Sequence, residues 1–199
     1  CTAENLDIKA EIIKKIDSCM NGRTICCTGT SGLSINTLSE NFSEKNKKNF
    51  MGVHMFNPPY NMTLCEMIQS KYTDKKVFYE LKKYMIKVLR RTVVEVKDYP
   101  AFLGNRIGFN FINEALINAE KYKYSGGIDY IDAILGPFTG RAMAPLVTAN
   151  YVGLDVHKAI VDNLYINTDD YSHNSFKLPG YVEELVQDGK LGRKSNGGL

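Results

Sequence analysis

His54 and Glu66 are the residues whose types could do chemistry together, if the two short apolar runs that carry them lie side by side. A carboxylate that holds one imidazole nitrogen leaves the other free to take a proton as a general base. His54 is one of three histidines and falls in Phe50-Met51-Gly52-Val53-His54-Met55-Phe56, directly before Asn57-Pro58-Pro59. Glu66 is flanked by Cys65 and Met67, where burial without a partner would be costly. Taken singly, each has a plainer reading: a strand histidine is more often a hydrogen-bonded structural residue, and a lone glutamate an edge charge. A second candidate is Gly29-Thr30-Ser31-Gly32. It is neither GxGxxG nor a P-loop, and it also fits a strand-to-helix turn in which Thr30, Ser31 or Ser34 caps the next helix.

Elements able to position these groups follow from hydropathy. Ile8, Ile12, Ile13 and Ile16 recur at helical spacing between Glu4 and Met20, and Thr24 to Thr28 reads as a buried strand. A short helix near Ser34 to Asn41 is followed by a polar loop, then by strands at Phe50 to Phe56 and Leu64 to Gln69. Asp74 to Leu89 has a helical face of Val77, Leu81, Met85 and Val88, and Thr92 to Val96 is a fourth strand. After Lys97-Asp98-Tyr99-Pro100 the pattern becomes helical, with helices at Gly104 to Ala119, Ile128 to Leu135, Leu146 to Leu164 broken near Gly153, and Tyr181 to Gln187. The expectation is an α/β domain over 1–98 followed by an all-α domain over 99–199.

Composition narrows the class. The 199 residues are 44% apolar and 24% charged, which excludes disordered and collagen-like chains. A net charge of +3 is too small to imply nucleic-acid binding. No apolar run reaches the roughly 18 residues of a membrane helix. Five cysteines, none in a CxxC pair, favour neither a zinc site nor a disulfide framework, so no metal is expected and a reducing, cytoplasmic setting is.

The segments Gly52-Val53-His54-Met55-Phe56-Asn57-Pro58-Pro59 and Leu64-Cys65-Glu66-Met67-Ile68 resemble the signature of L-3-hydroxyacyl-CoA dehydrogenases, which has the same histidine-to-glutamate spacing. The likeness extends upstream to Thr30-Ser31-Gly32-Leu33-Ser34-Ile35. Downstream it takes in Asp98-Tyr99-Pro100-Ala101-Phe102-Leu103-Gly104-Asn105-Arg106 and Val152-Gly153-Leu154-Asp155. The Asn-Pro-Pro form and Gly136-Pro137-Phe138-Thr139-Gly140-Arg141 are most similar to the dehydrogenase part of bacterial multifunctional fatty-acid oxidation proteins.

The resemblance implies the C-terminal part of a Rossmann-like NAD-binding domain, then a helical substrate and dimerisation domain. It implies NAD-dependent oxidation of an L-3-hydroxyacyl-CoA to the 3-ketoacyl-CoA in β-oxidation, or the reverse reduction. His54 would be the base and Glu66 its orienting partner, with Ser31 and Asn105 bonding around the substrate oxygen. Glu4, Lys9, Asn57 and Lys194, with Ser31, would contact NAD, and the partners would be an acyl-CoA and a second copy of the chain. Without the family, these residues read as a first-turn charge (Glu4), a solvated helix face (Lys9), a turn former (Asn57), a helix cap (Asn105) and a tail charge (Lys194). Two departures stand out: Lys194-Ser195 is followed by Asn196-Gly197-Gly198-Leu199 where the family has Gly-x-Gly-Phe, and Asn150 stands where an aspartate is usual.

Family members open with a strand, a GxGxxG turn and a helix that receive the pyrophosphate. These are absent here, and matching Glu4 to its family position puts Cys1 at a strand end. A segment on the order of 100 residues is therefore expected to be missing, and the chain alone is expected to be nearly inactive. Two other readings remain open: a dimerisation or binding module with a vestigial site, and a related dehydrogenase of small hydroxy acids.

Overall fold

The computed structural model describes residues 2–169 and 172–199; Cys1, expected at a strand end, lies outside the described residues. The chain divides into two compact units, Cys1–Gly104 and Asn105–Leu199.

In the first unit, α1 (Leu6–Cys19) starts where the Asn5 side chain accepts the Ile8 N–H at 3.0 Å. The remaining elements are β1 (Cys26–Thr28), α2 (Ile35–Ser39), β2 (Phe50–Met55), β3 (Leu64–Gln69), α3 (Lys75–Lys87) and β4 (Thr92–Val96). The strands form one sheet in the order β1-β2-β3-β4, parallel between β1 and β2, antiparallel between β2 and β3, and parallel between β3 and β4.

Strand alternation supplies two cores. Phe50 and Ile68 face one side and pack with Ile13, Ile35, Leu38, Phe42 and Phe102. Met51, Val53, Cys65 and Met67 face the other and pack with Phe78 and Met85 of α3. Helix α2 approaches so closely that a Cβ on Gly52 would lie 2.9 Å from Ile35 Cδ1. It is shorter than the expected Ser34 to Asn41 because Ser34 is its cap, accepting the Thr37 N–H at 3.2 Å.

The apolar stripe expected on α1 is only partly covered: Ile13 is buried, but Ile8 is 44% and Ile16 38% exposed. Ile16 lines, with Ile12, Ile13 and residues of β1, a cleft of about 290 Å³.

The second unit is helical: α4 (Gly104–Lys121, beginning at the last residue of the first unit), α5 (Gly127–Leu135), α6 (Pro145–Val152), α7 (Leu154–Asn167) and α8 (Gly180–Gln187), joined by loops and 3-10 turns. The α4 stripe of Ile112, Ala115, Leu116 and Ala119 packs with Ile131, Leu146, Leu154 and Val182. The expected break at Gly153 is real, with φ at 104°. Asn150 pairs with the backbone of Leu199 in both directions, accepting its N–H at 3.0 Å and donating to its carbonyl at 3.4 Å. An ionised aspartate could not donate, which gives the departure at this position a local use.

Candidate active site

The antiparallel register sets His54 directly opposite Glu66, because both runs lack a bulge between their ends and every pair from Met51–Gln69 to Met55–Cys65 is in step. His54 Nδ1 lies 2.7 Å from Glu66 Oε2, with both residues buried. An ionised carboxylate can only accept, so in that pairing Nδ1 carries the hydrogen and Nε2 the lone pair. The imidazole is walled by Phe56, edge-on at a centroid distance of 4.8 Å, and by Phe102 at 5.6 Å.

Burying a carboxylate costs several kcal/mol unless its remaining lone pairs are satisfied. The other oxygen, Oε1, accepts two backbone N–H groups, Leu103 at 3.0 Å and Gly104 at 2.7 Å, where α4 begins. Glu66 is thus held on three sides by donors, and its orientation fixes that of His54. Glycine at 104 suits this approach, since a Cβ there would press on the Phe56 ring and lie 3.5 Å from Glu66 Oε1.

The N–H donors are delivered by a tight turn from Tyr99 to Phe102, closed by the Phe102 N–H to the Tyr99 carbonyl at 2.9 Å. Pro100 presets its second position, but Ala101 (φ 57°) and Phe102 (φ 54°) occupy the left-handed region that favours glycine. Backbone donors have no residue signature, so neither the turn nor its role was visible in residue types.

A second cluster forms around the Thr30-Ser31 loop. Glu4 Oε1 accepts from the Thr30 hydroxyl and from the Ser31 N–H at 2.8 Å, while Oε2 lies 3.3 Å from Lys9 Nζ. Partial burial pushes the Glu4 carboxyl up, but the bonds from Thr30 and Ser31 and the Lys9 charge outweigh it and leave it below the ordinary value. Glu4 is therefore tied to the loop rather than being a loose first-turn charge. Buried Thr30 also accepts the Leu33 N–H at 3.0 Å, so this loop does close as a turn.

Of the other residues singled out, Asn57 is exposed just beyond β2. Asn105 is the second residue of α4 and the first of the second unit. Lys194 belongs to the second unit, where it pairs with Asp155 and holds that carboxyl below its usual range. Among the described residues, no three His, Cys, Asp or Glu side chains are grouped as a metal site, and no helix is long and apolar enough to cross a membrane.

The residues present suit part of a dinucleotide. Glu4 and Lys9 line the cleft beside α1 and β1, offering a carboxylate for sugar hydroxyls and a cation for anionic or hydroxyl oxygens against an apolar wall of Ile12 and Ile16.

Comparison with known proteins agrees with this chemistry. Residues 1–99 match the family model for the 3-hydroxyacyl-CoA dehydrogenase NAD binding domain, and residues 102–199 the model for its C-terminal domain. A 3-hydroxybutyryl-CoA dehydrogenase of Clostridioides difficile is 32% identical, covering 100% of this chain and 68% of its own length. A probable 3-hydroxyacyl-CoA dehydrogenase of Bacillus subtilis is 31% identical over 98% of this chain and 25% of its own length. The crystal structure of (S)-3-hydroxybutyryl-CoA dehydrogenase from Ralstonia eutropha superposes with a TM-score of 0.88 at 30% identity, covering 100% of this chain and 67% of that one. The chain spans from 25% to 68% of the length of such relatives.

Proposed function

This chain belongs to the 3-hydroxyacyl-CoA dehydrogenase family, and from that premise we propose that the whole protein oxidises an L-3-hydroxyacyl-CoA to the 3-ketoacyl-CoA with NAD, or runs the reverse reduction. The observation that carries the reading is the buried His54–Glu66 pair, with Nδ1 turned to the carboxylate. Nε2 takes the proton from the substrate 3-hydroxyl, and Glu66 offsets the positive charge that then develops on the ring. Ser31 and Asn105 donate to the substrate oxygen. Bound NAD supplies the hydride acceptor for C3; Glu4, Lys9, Ser31 and Asn57 hold it, with Glu4 preset by its bonds to Thr30 and Ser31. Lys194 is assigned to the cofactor as well, on the resemblance alone; in the structure it is paired with Asp155.

The helical unit supports the homodimer, because Tyr124 and Phe138 are each 93% exposed and Val147 and Tyr151 of α6 more than half exposed. A reducing compartment such as the cytoplasm suits Cys19, Cys26, Cys27 and Cys65, which are all free thiols. The test supplies the full protein with NAD and either 3-hydroxybutyryl-CoA or free 3-hydroxybutyrate and follows NADH. NADH from the CoA ester alone is expected. NADH from neither overturns the dehydrogenase reading, equal rates move the substrate class to free hydroxy acids, and sedimentation decides the dimer.

A further inference from the structure

Asp98 lies just beyond β4, outside the dyad and outside the cofactor cluster, yet its carboxylate is the most heavily bonded acceptor in the connection between them. Oδ1 accepts the Ile35 N–H at 2.9 Å, and Oδ2 accepts the Asn36 N–H at 2.8 Å and the Ser34 hydroxyl at 2.9 Å. These donors sit at the start of α2, immediately after the Thr30–Gly32 loop. They lie 62 to 64 residues from Asp98 in sequence, so the contact is tertiary.

On its other side Asp98 leads into the Tyr99–Phe102 turn, and through it to the Leu103 and Gly104 N–H groups on Glu66 Oε1. The loop and the turn also lie close together: a Cβ added to Gly32 would make ordinary van der Waals contact with Ala101, 3.6 Å from its N and 3.7 Å from its Cα. Asp98 is thus bonded to the residues that follow the Ser31 loop and continues directly into the turn whose end donates to Glu66.

The geometry points to Asp98 as a positioning residue that fixes the Ser31 loop and the Glu66 donor turn in one frame. It acts through Ser31 and Glu66, and this inference rests on the dehydrogenase reading for its kinetic consequence. A simple helix cap would stabilise α2 and nothing more. The unit contains a built-in control, since Asp74 caps α3 in the same way, accepting the Lys76 N–H at 2.7 Å and the Val77 N–H at 3.2 Å.

The experiment compares Asp98→Ala with Asp74→Ala in the full protein, at a temperature where circular dichroism shows each fully folded. Asp98→Ala is expected to lower kcat by about tenfold or more, in line with the cost of sub-ångström misplacement, while Asp74→Ala changes it by less than about twofold. The loss in Asp98→Ala should shrink in a Ser31→Ala background, because the two then remove the same interaction. Asp98→Asn, which keeps one acceptor oxygen, should recover part of the loss, and it carries the same comparison if the alanine variant does not fold.

Equal kcat for Asp98→Ala and wild type, or a loss independent of Ser31, overturns the inference. Amide hydrogen exchange decides it separately from the reaction. In Asp98→Ala, protection should fall at Leu103 and Gly104 as well as at Ile35 and Asn36, whereas a loss confined to Ile35 and Asn36 overturns the coupling even if the protein turns out to oxidise no hydroxyacyl-CoA.

Discussion

Each unit buries one histidine against aromatic and polar neighbours, and the two are built for opposite ends. In the first unit, His54 meets a carboxylate that is itself held by two backbone donors. In the second, His157 is fully buried with Nε2 3.0 Å from the Asn113 amide oxygen, and its Nδ1 has no hydrogen-bond partner. Asn113 in turn donates to the Ser175 and Lys177 carbonyls at 2.7 and 2.9 Å, so His157 completes a neutral brace under the last loop. Burial pushes His157 down to about 4, against a weaker opposing pull from Asp162. The difference teaches that burial alone favours a neutral packing imidazole, whereas a fixed carboxylate beside the ring provides the arrangement that the proposed base requires.

Removing the base should break the contrast most strongly. His54→Ala is expected to lower kcat by about 10⁴-fold, the upper range for a general base, with the fold retained by circular dichroism. Glu66→Gln keeps the volume but removes the charge and allows the ring to lose its fixed tautomer; a loss of about 10²-fold to 10³-fold is expected. Normal turnover in either variant, measured as NADH formed from 3-hydroxybutyryl-CoA, would remove the dyad from the mechanism.

The second histidine is tested by acid. With a folded value of about 4 below the ordinary 6.5, the unfolded chain takes up the proton first. The stability contributed is therefore full above about pH 6.5 and is lost as pH falls toward about 4, amounting to about 3 kcal/mol in all. Denaturant unfolding of the second unit at about pH 7.5 and about pH 5 should differ by about 2 kcal/mol more in wild type than in His157→Gln. An identical acid dependence in the two would show that His157 is not the group responsible.

What could be read from residue types was local. The two strands on either side of Asn57-Pro58-Pro59 could be read, but their pairing stood only as a condition, and it is the register that sets His54 against Glu66. Helix positions followed from 3.6-residue periodicity, as in α4, where Ile112, Ala115, Leu116 and Ala119 are buried as their spacing implies, and Phe109 and Asn113 are buried as well. The missed parts are of two kinds. Leu103 and Gly104 act through backbone N–H groups that any residue possesses, and Asp98 acts across 62 to 64 residues of chain. Covering is also invisible: the α1 stripe reads as a core face, yet of its isoleucines Ile13 is buried while Ile8 and Ile16 are exposed.

The smallest effect concerns how the two units handle left-handed backbone. In the second unit these positions are glycines at 126, 127, 140, 153, 189 and 192, with Asn196 as the exception among described residues. In the first, Gly22 is joined by Arg90, Ala101 and Phe102, and the last two sit together in the turn that feeds Glu66. An L-residue there costs about 1–2 kcal/mol, whereas glycine gives back part of the gain through its freer unfolded chain. Phe102 is committed to the core it shares with Phe50 and Ile68, so Ala101 is the position at which the strain can be relieved. Ala101→Gly should therefore stabilise the first unit by about 0.5 kcal/mol, read as a rise in the denaturant midpoint at constant slope. A lower midpoint would mean that the methyl of Ala101, 3% exposed, contributes more through packing than its conformation costs, and the turn beside the dyad would then be no more strained than the glycine turns of the helical unit.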